Sequence, residues 1–544
     1  MLHRRRPPVR LTLALVSVLF AVAVLGLGLL RAAIYSPAAV EDSRWSAAPI
    51  AVPTDGPVVA GKCGGVPLEA TRQIRGFWLT TVMNIDFPSR PGLSEAQVKA
   101  EYDGWLDVAV AQHHNAIFVH VRPSGDAFWP SDYAPWSEWL TGKRDGKSPG
   151  WDPLAYMVQQ AHARNLEFHA WFNPYRGTQP GPDGPGADFA KLAPGHPLLA
   201  HRDWAIAYPK GRTGRLYFDP GNPAARKFVE DAMLEAVGKY DIDGVHFDDF
   251  FYPYPEAGQD FPDGASYAKW GKGKSRADWR RANVDTLVRE MNTRIKQLKP
   301  WVKFGISPFG IWRNKTTDPA GSDSKGLEAY DAIYADTRKW VREGWLDYIV
   351  PQLYWNIGFA KADYAKLLPW WVNLVKGSKV QLWIGQADYR VGEKGAWSNP
   401  AELGRHLALD EKAGVQGEVH FSAKSVRTNR LGSVKRYFDD HYAAPALVPV
   451  MKQLPAAPPG APALTGAHRS GSLLKLDARA AEAGPEAASW ALYRVSGGSA
   501  SLVATGHTGA QVADPAPAAG RATYCLTGLD RSGNEGPASA PFSA

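Results

Sequence analysis

The chain has 544 residues, of which 45% are hydrophobic and 21% are charged. That length exceeds one ordinary domain, and the composition excludes a chain that is disordered throughout. The formal net charge is +8, but no dense block of Lys and Arg lies outside the N-terminus, so no nucleic-acid partner is predicted. The sequence contains no CxxC pair and no Cys/His spacing typical of zinc sites, and no cofactor is predicted.

Residues 1–34 are predicted to target the chain to a membrane. An uncharged run over residues 11–30 is followed by Arg31 and preceded by four arginines, namely Arg4, Arg5, Arg6 and Arg10. Positive charge before a long apolar run is typical of a translocation signal whose charges stay in the cytoplasm. The run of 20 residues is long enough to span a bilayer, which favours an uncleaved anchor slightly over a cleaved signal. In both cases the rest of the chain is expected outside the cytoplasm.

Residues 35–71 are predicted to be a linker. They are rich in Pro, Ala and Gly and show no sustained periodicity. The chain has two cysteines, Cys63 and Cys525. They could pair across domains, although nothing in the sequence requires it.

Residues 72–446 alternate short apolar segments with longer amphipathic ones. Eight β-then-α units predict a parallel sheet, and eight strands can close into a (β/α)₈ barrel. An open, doubly wound α/β sheet is the alternative, but no Gly-rich phosphate loop follows the first strand. The eight strand candidates are residues 75–81, 116–122, 167–173, 244–250, 303–309, 348–355, 381–387 and 417–423.

The C-terminal part is predicted to be a separate small domain. Residues 447–463 are rich in Pro and Ala, which is typical of a linker. Residues 464–544 contain short strand-like pieces between Gly, Pro and Asp turns, the spacing of an all-β sandwich. This part loosely resembles fibronectin type III modules. Its expected role is spacing or weak adhesion, or that of a structural appendage.

Polar residues recur near the ends of the predicted barrel strands. Side chains alternate along a strand, and Val245 and Phe247 fit the apolar layer under the helices, which places His246 inside the barrel and Asp248 at its mouth. Dense buried polar groups usually serve a ligand, and sites in such barrels lie at the C-terminal ends of the strands. The same rule places these further side chains inside: His120, Arg122, His169, Asn173, Gln352, Tyr354, Gln386, His420 and Ser422.

Seven strings stand in this order along the barrel segment: RGFWLTTV, NAIFVHVRPSGDAFWPS, FHAWFNPYR, DGVHFDDFFYPYP, FGISPFGIWRN, IVPQLYWNIG and HFSAKS. Together they resemble the glycosyl-hydrolase-like family 10 proteins of bacterial envelopes, over roughly residues 72–440. The resemblance implies a TIM barrel that hydrolyses a β-linked glycan, and the best-understood members are linked to peptidoglycan glycan strands stripped of their peptides. The implied substrate is therefore a cell-wall or other extracellular polysaccharide.

Hydrolysis of a glycosidic bond usually needs two carboxyl groups that flank it. Asp248 is the first candidate because it ends the fourth strand facing the mouth. Asp249 follows at once and either shares the site or only orders the next loop. Two adjacent carboxylates repel each other, which raises one pKa and favours an acid role. Four other acids follow predicted strands: Asp86, Asp126, Glu256 and Asp388.

The segment DGVHFDDF also resembles the DGxDxDxE motif of chitinase-like barrels. Asp243, Gly244 and Asp248 align with that motif. Phe250 stands where the motif has its catalytic Glu, however, and His246 replaces an Asp. These departures argue against a mechanism assisted by an N-acetyl group of the substrate.

Aromatic and polar residues near these acids are predicted to bind the substrate. Aromatic rings stack on sugar faces, and Arg binds carboxylates such as that of a muramic acid in a bidentate manner. Core packing is the alternative for each aromatic residue. The candidates are Trp78, His120, Arg122, Asn173, Tyr175, Arg176, His246, Tyr252, Gln352, Tyr354 and Trp355.

Two other functions fit parts of this pattern. His120, His169, His246 and His420 share the interior-facing position, so a metal-dependent hydrolase is one alternative, although no HxH or HExxH pair exists. A non-catalytic glycan-binding protein is the other, because it would need the aromatics and arginines without Asp248. The predicted function is a metal-free glycoside hydrolase that acts outside the cytoplasm on a cell-wall glycan.

Overall fold

The computed structural model describes residues 61–180, 184 and 186–544. The apolar run at residues 11–30 and its predicted membrane anchor therefore lie outside the described residues. Within the described part of the chain, no helix is both long and apolar enough to cross a membrane. All described residues belong to one unit, Pro53–Ala544.

A short hairpin precedes a large parallel sheet. β1 (Lys62–Cys63) and β2 (Val66–Glu69) pair with each other and then with a strand from the far end of the chain. The strands that follow form the parallel sheet, apart from one inserted antiparallel hairpin, the sixth and seventh in the chain. They are β3 (Ile74–Leu79), β4 (Ala116–Arg122), β5 (Glu167–Phe172), β6 (Ala205–Tyr208), β7 (Arg215–Phe218), β8 (Gly244–Phe247), β9 (Lys303–Ile306), β10 (Tyr348–Ile349), β11 (Gln381–Leu382), β12 (Ile384–Gln386) and β13 (Gly417–His420).

The parallel strands close into a barrel with eight strand positions, which confirms the predicted fold. We call these eight positions staves and number them in chain order. The sheet order is β11-β10-β9-β8-β5-β4-β3-β13-β12. β11 and β12 are successive pieces of one stave, separated at Trp383, and they stand at the two ends of that order. Because β11 pairs with β10 and β12 pairs with β13, this one stave joins the two ends of the sheet and closes the barrel.

Helices connect the staves and cover the outside of the barrel. Their starts follow local chemistry: Ser94 and Gln97 form a capping box before the first long helix, and Asn222 caps a helix that begins with Pro223. The helices are α1 (Glu95–Ala111), α2 (Glu138–Thr141), α3 (Pro153–Ala163), α4 (Pro197–Ala200), α5 (Pro223–Lys239), α6 (Gly264–Trp270), α7 (Arg276–Leu298), α8 (Ala329–Ala332), α9 (Thr337–Arg342), α10 (Tyr364–Val375), α11 (Glu402–Ala413), α12 (Ala423–Thr428) and α13 (Ser433–Tyr437).

Aromatic and histidine side chains fill the interior of the barrel. Phe118 stacks on His169 with ring centroids 4.4 Å apart, and Tyr348 stacks on Trp383 at 3.9 Å. The Tyr348 hydroxyl lies 2.9 Å from His169 Nδ1, so the two stacked pairs are joined by a hydrogen bond. Buried rings with paired polar atoms form a rigid layer beneath the mouth.

The prediction that Gln386 and His420 face the barrel interior, on the seventh and eighth staves, is wrong. Trp383 and Val419 pack in the cluster that fills the barrel. Because side chains alternate, Gln386 and His420 then point outward. Gln386 hydrogen-bonds to side chains of α10 and α11, and His420 stacks on a tyrosine of α13. On these two staves the polar side chains belong to the layer between sheet and helices, and apolar side chains fill the interior.

Residues 447–463, predicted to be a linker, pack against the floor of the barrel. Met451 and Leu454 are buried in the same cluster as the interior residues of the staves. The carbonyl of Val450 accepts a hydrogen bond from Gln381, the first residue of β11. This segment therefore closes the N-terminal end of the barrel.

Truncating this floor segment is expected to destabilise the barrel. Leu454→Ala removes buried methyl groups and leaves a cavity, so it should lower the free energy of unfolding by about 2–3 kcal/mol. Lys452→Ala changes an exposed side chain of the same segment and should stay within about 0.5 kcal/mol of the parent. Denaturant unfolding followed by tryptophan fluorescence measures both. Equal stability of the two variants would contradict the role given to Leu454.

The C-terminal residues form a β-sandwich. Its strands are β14 (Ala463–Ser470), β15 (Leu473–Arg479), β16 (Ser489–Ser496), β17 (Ser499–His507), β18 (Gln511–Asp514), β19 (Thr523–Leu529) and β20 (Phe542–Ser543). One sheet has the order β1-β2-β17-β16-β19-β20 and the other β14-β15-β18. Leu476 and Trp490, one from each sheet, share a buried cluster. The similarity to fibronectin type III stays a prediction.

The end of the predicted N-terminal linker is part of this sandwich. β2 extends the larger sheet by pairing in parallel with β17. Cys63 on β1 forms a disulfide with Cys525 on β19, a pairing that the sequence left open. Arg531 in the loop after β19 forms a 2.6 Å ion pair with Asp241, just before β8. The sandwich is therefore attached to the floor of the barrel, at the end opposite the C-terminal ends of the staves.

Candidate active site

A stacked pair of rings forms the base of the barrel mouth. His120 on β4 and Trp171 on β5 stack with centroids 3.9 Å apart and planes 8° from parallel. Both side chains are buried. The Trp171 indole N–H donates a 3.2 Å hydrogen bond to Asp248 Oδ2, so the ring pair supports the first of the two adjacent carboxylates.

Asp248 follows β8 directly and faces the mouth, as the alternation predicted. The Asn173 amide donates to both of its carboxylate oxygens, at 3.0 and 3.1 Å, and the backbone N–H of Phe250 donates to Oδ1. Burial raises the pKa of Asp248, while the positive charge of Arg176 and these donors act in the opposite direction. The carboxylate is therefore held in one position by groups that favour its charged form.

Asp249 has a different set of partners. The hydroxyl of Tyr254 donates to Oδ2, and Gln352 at the end of the sixth stave donates to Oδ1 at 3.2 Å. Burial first, and then the negative charge of Asp248, raise the pKa of Asp249 to about 6. The two adjacent carboxyl groups thus have separate hydrogen-bond partners, and the raised pKa of Asp249 suits a group that exchanges a proton.

Aromatic side chains surround this mouth in the segments that follow the fourth to the eighth barrel strands. Tyr354 stacks on Phe421 with centroids 6.1 Å apart, and Tyr389 lies edge-on to both. Each keeps part of its surface exposed. We call the following partly exposed residues the aromatic rim: Tyr254, Phe309, Tyr354, Trp355, Tyr389 and Phe421. Exposed rings of this kind offer flat apolar faces to a ligand.

The sequence relationships of the chain agree with this geometry. The family model described as Glycosyl hydrolase-like 10 matches residues 73–400. The chain belongs to the glycosyl hydrolase-like 10 family. This membership confirms the resemblance that the ordered strings indicated, and the chain is a glycoside hydrolase.

Two named relatives of this family and one solved structure are similar to the chain. Glycosyl hydrolase YngK of Bacillus subtilis (strain 168) is 45% identical over 488 residues, which cover 87% of this chain and 93% of that protein. Glycosyl hydrolase DigH of Escherichia coli (strain K12) is 40% identical over 351 residues, which cover 62% and 79%. The endo-1,4-beta-mannanase from Rhizomucor miehei aligns with a TM-score of 0.43 at 11% identity, over 72% of this chain and 99% of that one.

Of the two arginines predicted to bind substrate, Arg176 lies beside the carboxylates of this hydrolase, and Arg122 contacts the turn that follows β5. Arg176 packs its guanidinium over the Phe250 ring at 4.6 Å and donates to the carbonyl of Pro123. Arg122 is fully buried and donates to the carbonyls of Asn173 and Pro174. Arg122 therefore holds the turn that carries Asn173, while Arg176 supplies positive charge next to Asp248.

Four predicted binding residues lie below the mouth or behind it. Tyr175 and Tyr252 are buried between sheet and helices, where Tyr252 accepts a hydrogen bond from Asn283 of α7. Trp78 donates its indole N–H to His246 inside the barrel. These placements correct the assignment of all four as sugar contacts in this conformation, since none has more than 2% of its surface exposed.

The other acids after the staves have structural partners or lie at the surface. Asp86 accepts hydrogen bonds from the Ser422 hydroxyl and two backbone N–H groups, which joins the loops after β3 and β13. Asp388 pairs with His420 at 2.8 Å. Asp126 is buried and accepts from the backbone of Ser124. Glu256 is exposed in the loop after Asp249.

The histidines proposed for a metal-dependent hydrolase do not form one group. His420 faces α13, outside the barrel, whereas His169 and His246 contact Tyr348 inside it. Among residues 61–180, 184 and 186–544, no group of three or more His, Cys, Asp or Glu side chains could hold a metal ion.

Two contacts of the carboxylates were missed by the sequence analysis. Trp171 shares the interior-facing position of His169 and Asn173, so the alternation rule could have found it. Tyr254 follows Asp249 by five residues, and no strand or helix pattern covers it. Its contact with Asp249 depends on how the loop after β8 turns back over the mouth.

Proposed function

We propose that this glycoside hydrolase cleaves glycan strands of the bacterial cell envelope, with peptide-free peptidoglycan as its main substrate. The observation that carries the proposal is the pair Asp248 and Asp249 at the mouth of the barrel, each with its own donors. Asp249 carries the proton that the leaving oxygen needs, because its pKa is raised to about 6. Asp248 acts as an anion, because Asn173, Trp171 and Arg176 stabilise its charge.

The surroundings of the pair support a carbohydrate polymer that carries carboxylates. The aromatic rim offers stacking faces to sugar rings. A cleft next to the ends of β4 and β5 is lined by Lys191 and by Arg144, which forms an ion pair with Glu138. Cationic side chains at this place suit the lactyl carboxylate of a muramic acid.

Location outside the cytoplasm is part of the same proposal. The apolar run at residues 11–30, preceded by arginines, supports translocation and attachment to the membrane. The disulfide between Cys63 and Cys525 supports it independently, because such bonds persist in oxidising compartments.

The test is release of sugar fragments from purified, peptide-free peptidoglycan strands. The parent protein is expected to release fragments that mass spectrometry identifies, and the folded Asp248→Asn variant is expected to release them at least about 10³-fold more slowly. If the parent binds the strands and cuts neither them nor a panel of other envelope polysaccharides, the chain is a glycan-binding protein and the proposal fails. If only another polysaccharide is cut, the substrate assignment is wrong, but the proposed glycoside hydrolysis by Asp248 and Asp249 still stands.

If Asp249 donates the proton, the activity should fall as the pH rises above the pKa of this residue. The acid form of Asp249 is present below its pKa of about 6 and is lost above it. The value of kcat/KM should therefore fall about tenfold per pH unit above that point. Asp249→Asn removes the titrating group, so its residual rate should not follow this slope. The same slope in both proteins would assign the alkaline limb to another residue.

A further inference from the structure

The two candidate carboxylates are consecutive residues at the end of one strand. In the usual mechanisms two carboxyl groups stand on opposite faces of the sugar, about 5–5.5 Å or 6.5–9.5 Å apart with the ring between them. Asp248 and Asp249 both follow β8 directly, so the two carboxyl groups reach the mouth from the end of the same strand. A pair placed this way serves one side of the scissile bond well, and the attack on the opposite face needs another group.

The other acids near the C-terminal ends of the staves either form structural hydrogen bonds or lie at the surface. The Asp86 carboxylate accepts three hydrogen bonds that join the loops after β3 and β13. Asp388 is buried against His420 on the outer side of the sheet, and Asp126 is buried with its own loop as partner. Glu256 lies at the surface, in the same loop as the pair. Each of the alternative acids is thus either held in a structural bond or placed on the side of the pair.

We propose that the attacking group belongs to the substrate: the 2-acetamido group of the sugar attacks C1, Asp248 positions that group, and Asp249 acts as acid and then as base. This inference rests on the proposed function and names its substrate class, a β-linked N-acetylhexosamine. Amino sugars of peptidoglycan carry this group on both residues of the repeat, so the inference does not depend on which of the two bonds is cut.

The proposed reaction balances in two steps. In the first step the acetamido oxygen forms a bond to C1, the bond from C1 to the leaving oxygen breaks, and Asp249 gives its proton to that oxygen. The acetamide N–H is held by the Asp248 carboxylate, which stabilises the positive charge of the resulting oxazolinium ring. In the second step water attacks C1, Asp249 takes the proton of that water, and the bond from C1 to the acetamido oxygen breaks. The product keeps its anomeric configuration.

The environment of each carboxylate fits its role. Asp248 is fixed by Asn173, Trp171 and the Phe250 N–H, all of which are donors, so it stays an acceptor for one further N–H. Asp249 has two side-chain donors and a raised pKa, which suits a group that releases and recovers a proton. Phe250 stands where the DGxDxDxE motif has its catalytic Glu, which argues against this mechanism. In the structure the Phe250 ring packs under Arg176, and Asp249, one residue earlier, is the acid.

Chemical change of the acetamido group tests the inference. Peptide-free strands are N-deacetylated and then acylated again, either with acetyl or with trifluoroacetyl groups. Fluorine withdraws electrons from the attacking oxygen, so the trifluoroacetyl strands should be cut about 100-fold more slowly at saturating substrate. A protein nucleophile would leave the two rates within about threefold of each other, which would overturn the inference. Failure to cut the acetyl strands would overturn peptidoglycan as the substrate, which is the part of the proposed function on which this inference rests.

Azide rescue distinguishes the roles of the two carboxylates. The probe is an activated aryl glycoside of the peptidoglycan disaccharide. With Asp249→Asn, azide should restore turnover and give a β-glycosyl azide, because azide replaces the water that needs a base. With Asp248→Asn, azide should restore nothing. An α-glycosyl azide from Asp248→Asn would show that Asp248 is itself the nucleophile, and inversion of configuration by the parent would equally overturn the inference. Circular dichroism of each variant checks that it is folded.

Discussion

Asp248→Asn is expected to lower kcat for strand hydrolysis about 10³- to 10⁴-fold, which corresponds to about 4–5.5 kcal/mol of transition-state stabilisation. The substitution keeps the size of the side chain and removes its negative charge. An Asn at this place also sets its amide group against two donors, the Trp171 indole and the Asn173 amide. It therefore loses both the charge and the orientation that the reaction requires.

The effect must be separated from damage to the barrel. Initial rates of fragment release at saturating substrate measure kcat, and the thermal midpoint measures folding. Glu256→Gln is the matched control, because it removes a carboxylate from the exposed part of the same loop and should keep activity within about twofold of the parent. Retention of a tenth or more of the activity by Asp248→Asn would remove Asp248 from the reaction.

The barrel could be predicted because its evidence is local. Each stave is a short apolar segment followed by an amphipathic helix, and this alternation survives in the sequence without any tertiary information. Asp248 was found for the same reason. It comes directly after the GVHF segment that forms β8, and the apolar Val245 and Phe247 identify the outward face of that strand.

The alternation rule failed where a stave has polar residues on its outer face. The alternation rule places the polar residues Gln386 and His420 in the interior, but their partners are side chains on helices. The deciding residues were Trp383 and Val419, whose apolar side chains fill the barrel. Composition cannot separate an interior site from a polar contact between sheet and helix, because both bury hydrogen-bonding groups.

Residues 61–71 and 447–463, which lie in the segments predicted to be linkers, make contacts that are distant in the sequence. Residues rich in Pro, Ala and Gly are typical of flexible segments, yet Met451 and Leu454 are buried in the barrel floor. β2 finds its partner β17 more than 400 residues later in the chain. Non-local pairing of this kind leaves no periodic signal in either segment.

Removal of the disulfide is expected to destabilise the C-terminal sandwich strongly. Cys63 and Cys525 are separated by 462 positions in the chain, and a bond that closes so long a loop restricts the unfolded chain far more than a short one. Cys63→Ala together with Cys525→Ala should lower the free energy of unfolding of the sandwich by about 4 kcal/mol. The β1–β2 hairpin should detach first, because β2 pairs with β17 at only two positions, Ala500 with Leu68 and Ser501 with Glu69.

Measuring the activity of the double variant distinguishes a loss of sandwich stability from an effect on the active site. The sandwich is bound to the barrel floor, through Arg531 and the segment that contains Met451, whereas Asp248 lies at the other end. The double variant should therefore keep its rate of strand hydrolysis at low temperature and lose it at a lower temperature than the parent. Hydrogen exchange of the amides of β16 and β19 during denaturant unfolding, measured by mass spectrometry of their peptides, reports the sandwich separately from the barrel. A large loss of activity without any loss of stability would mean that the disulfide acts on the site, and the floor would then be coupled to the mouth through the stacked rings between them.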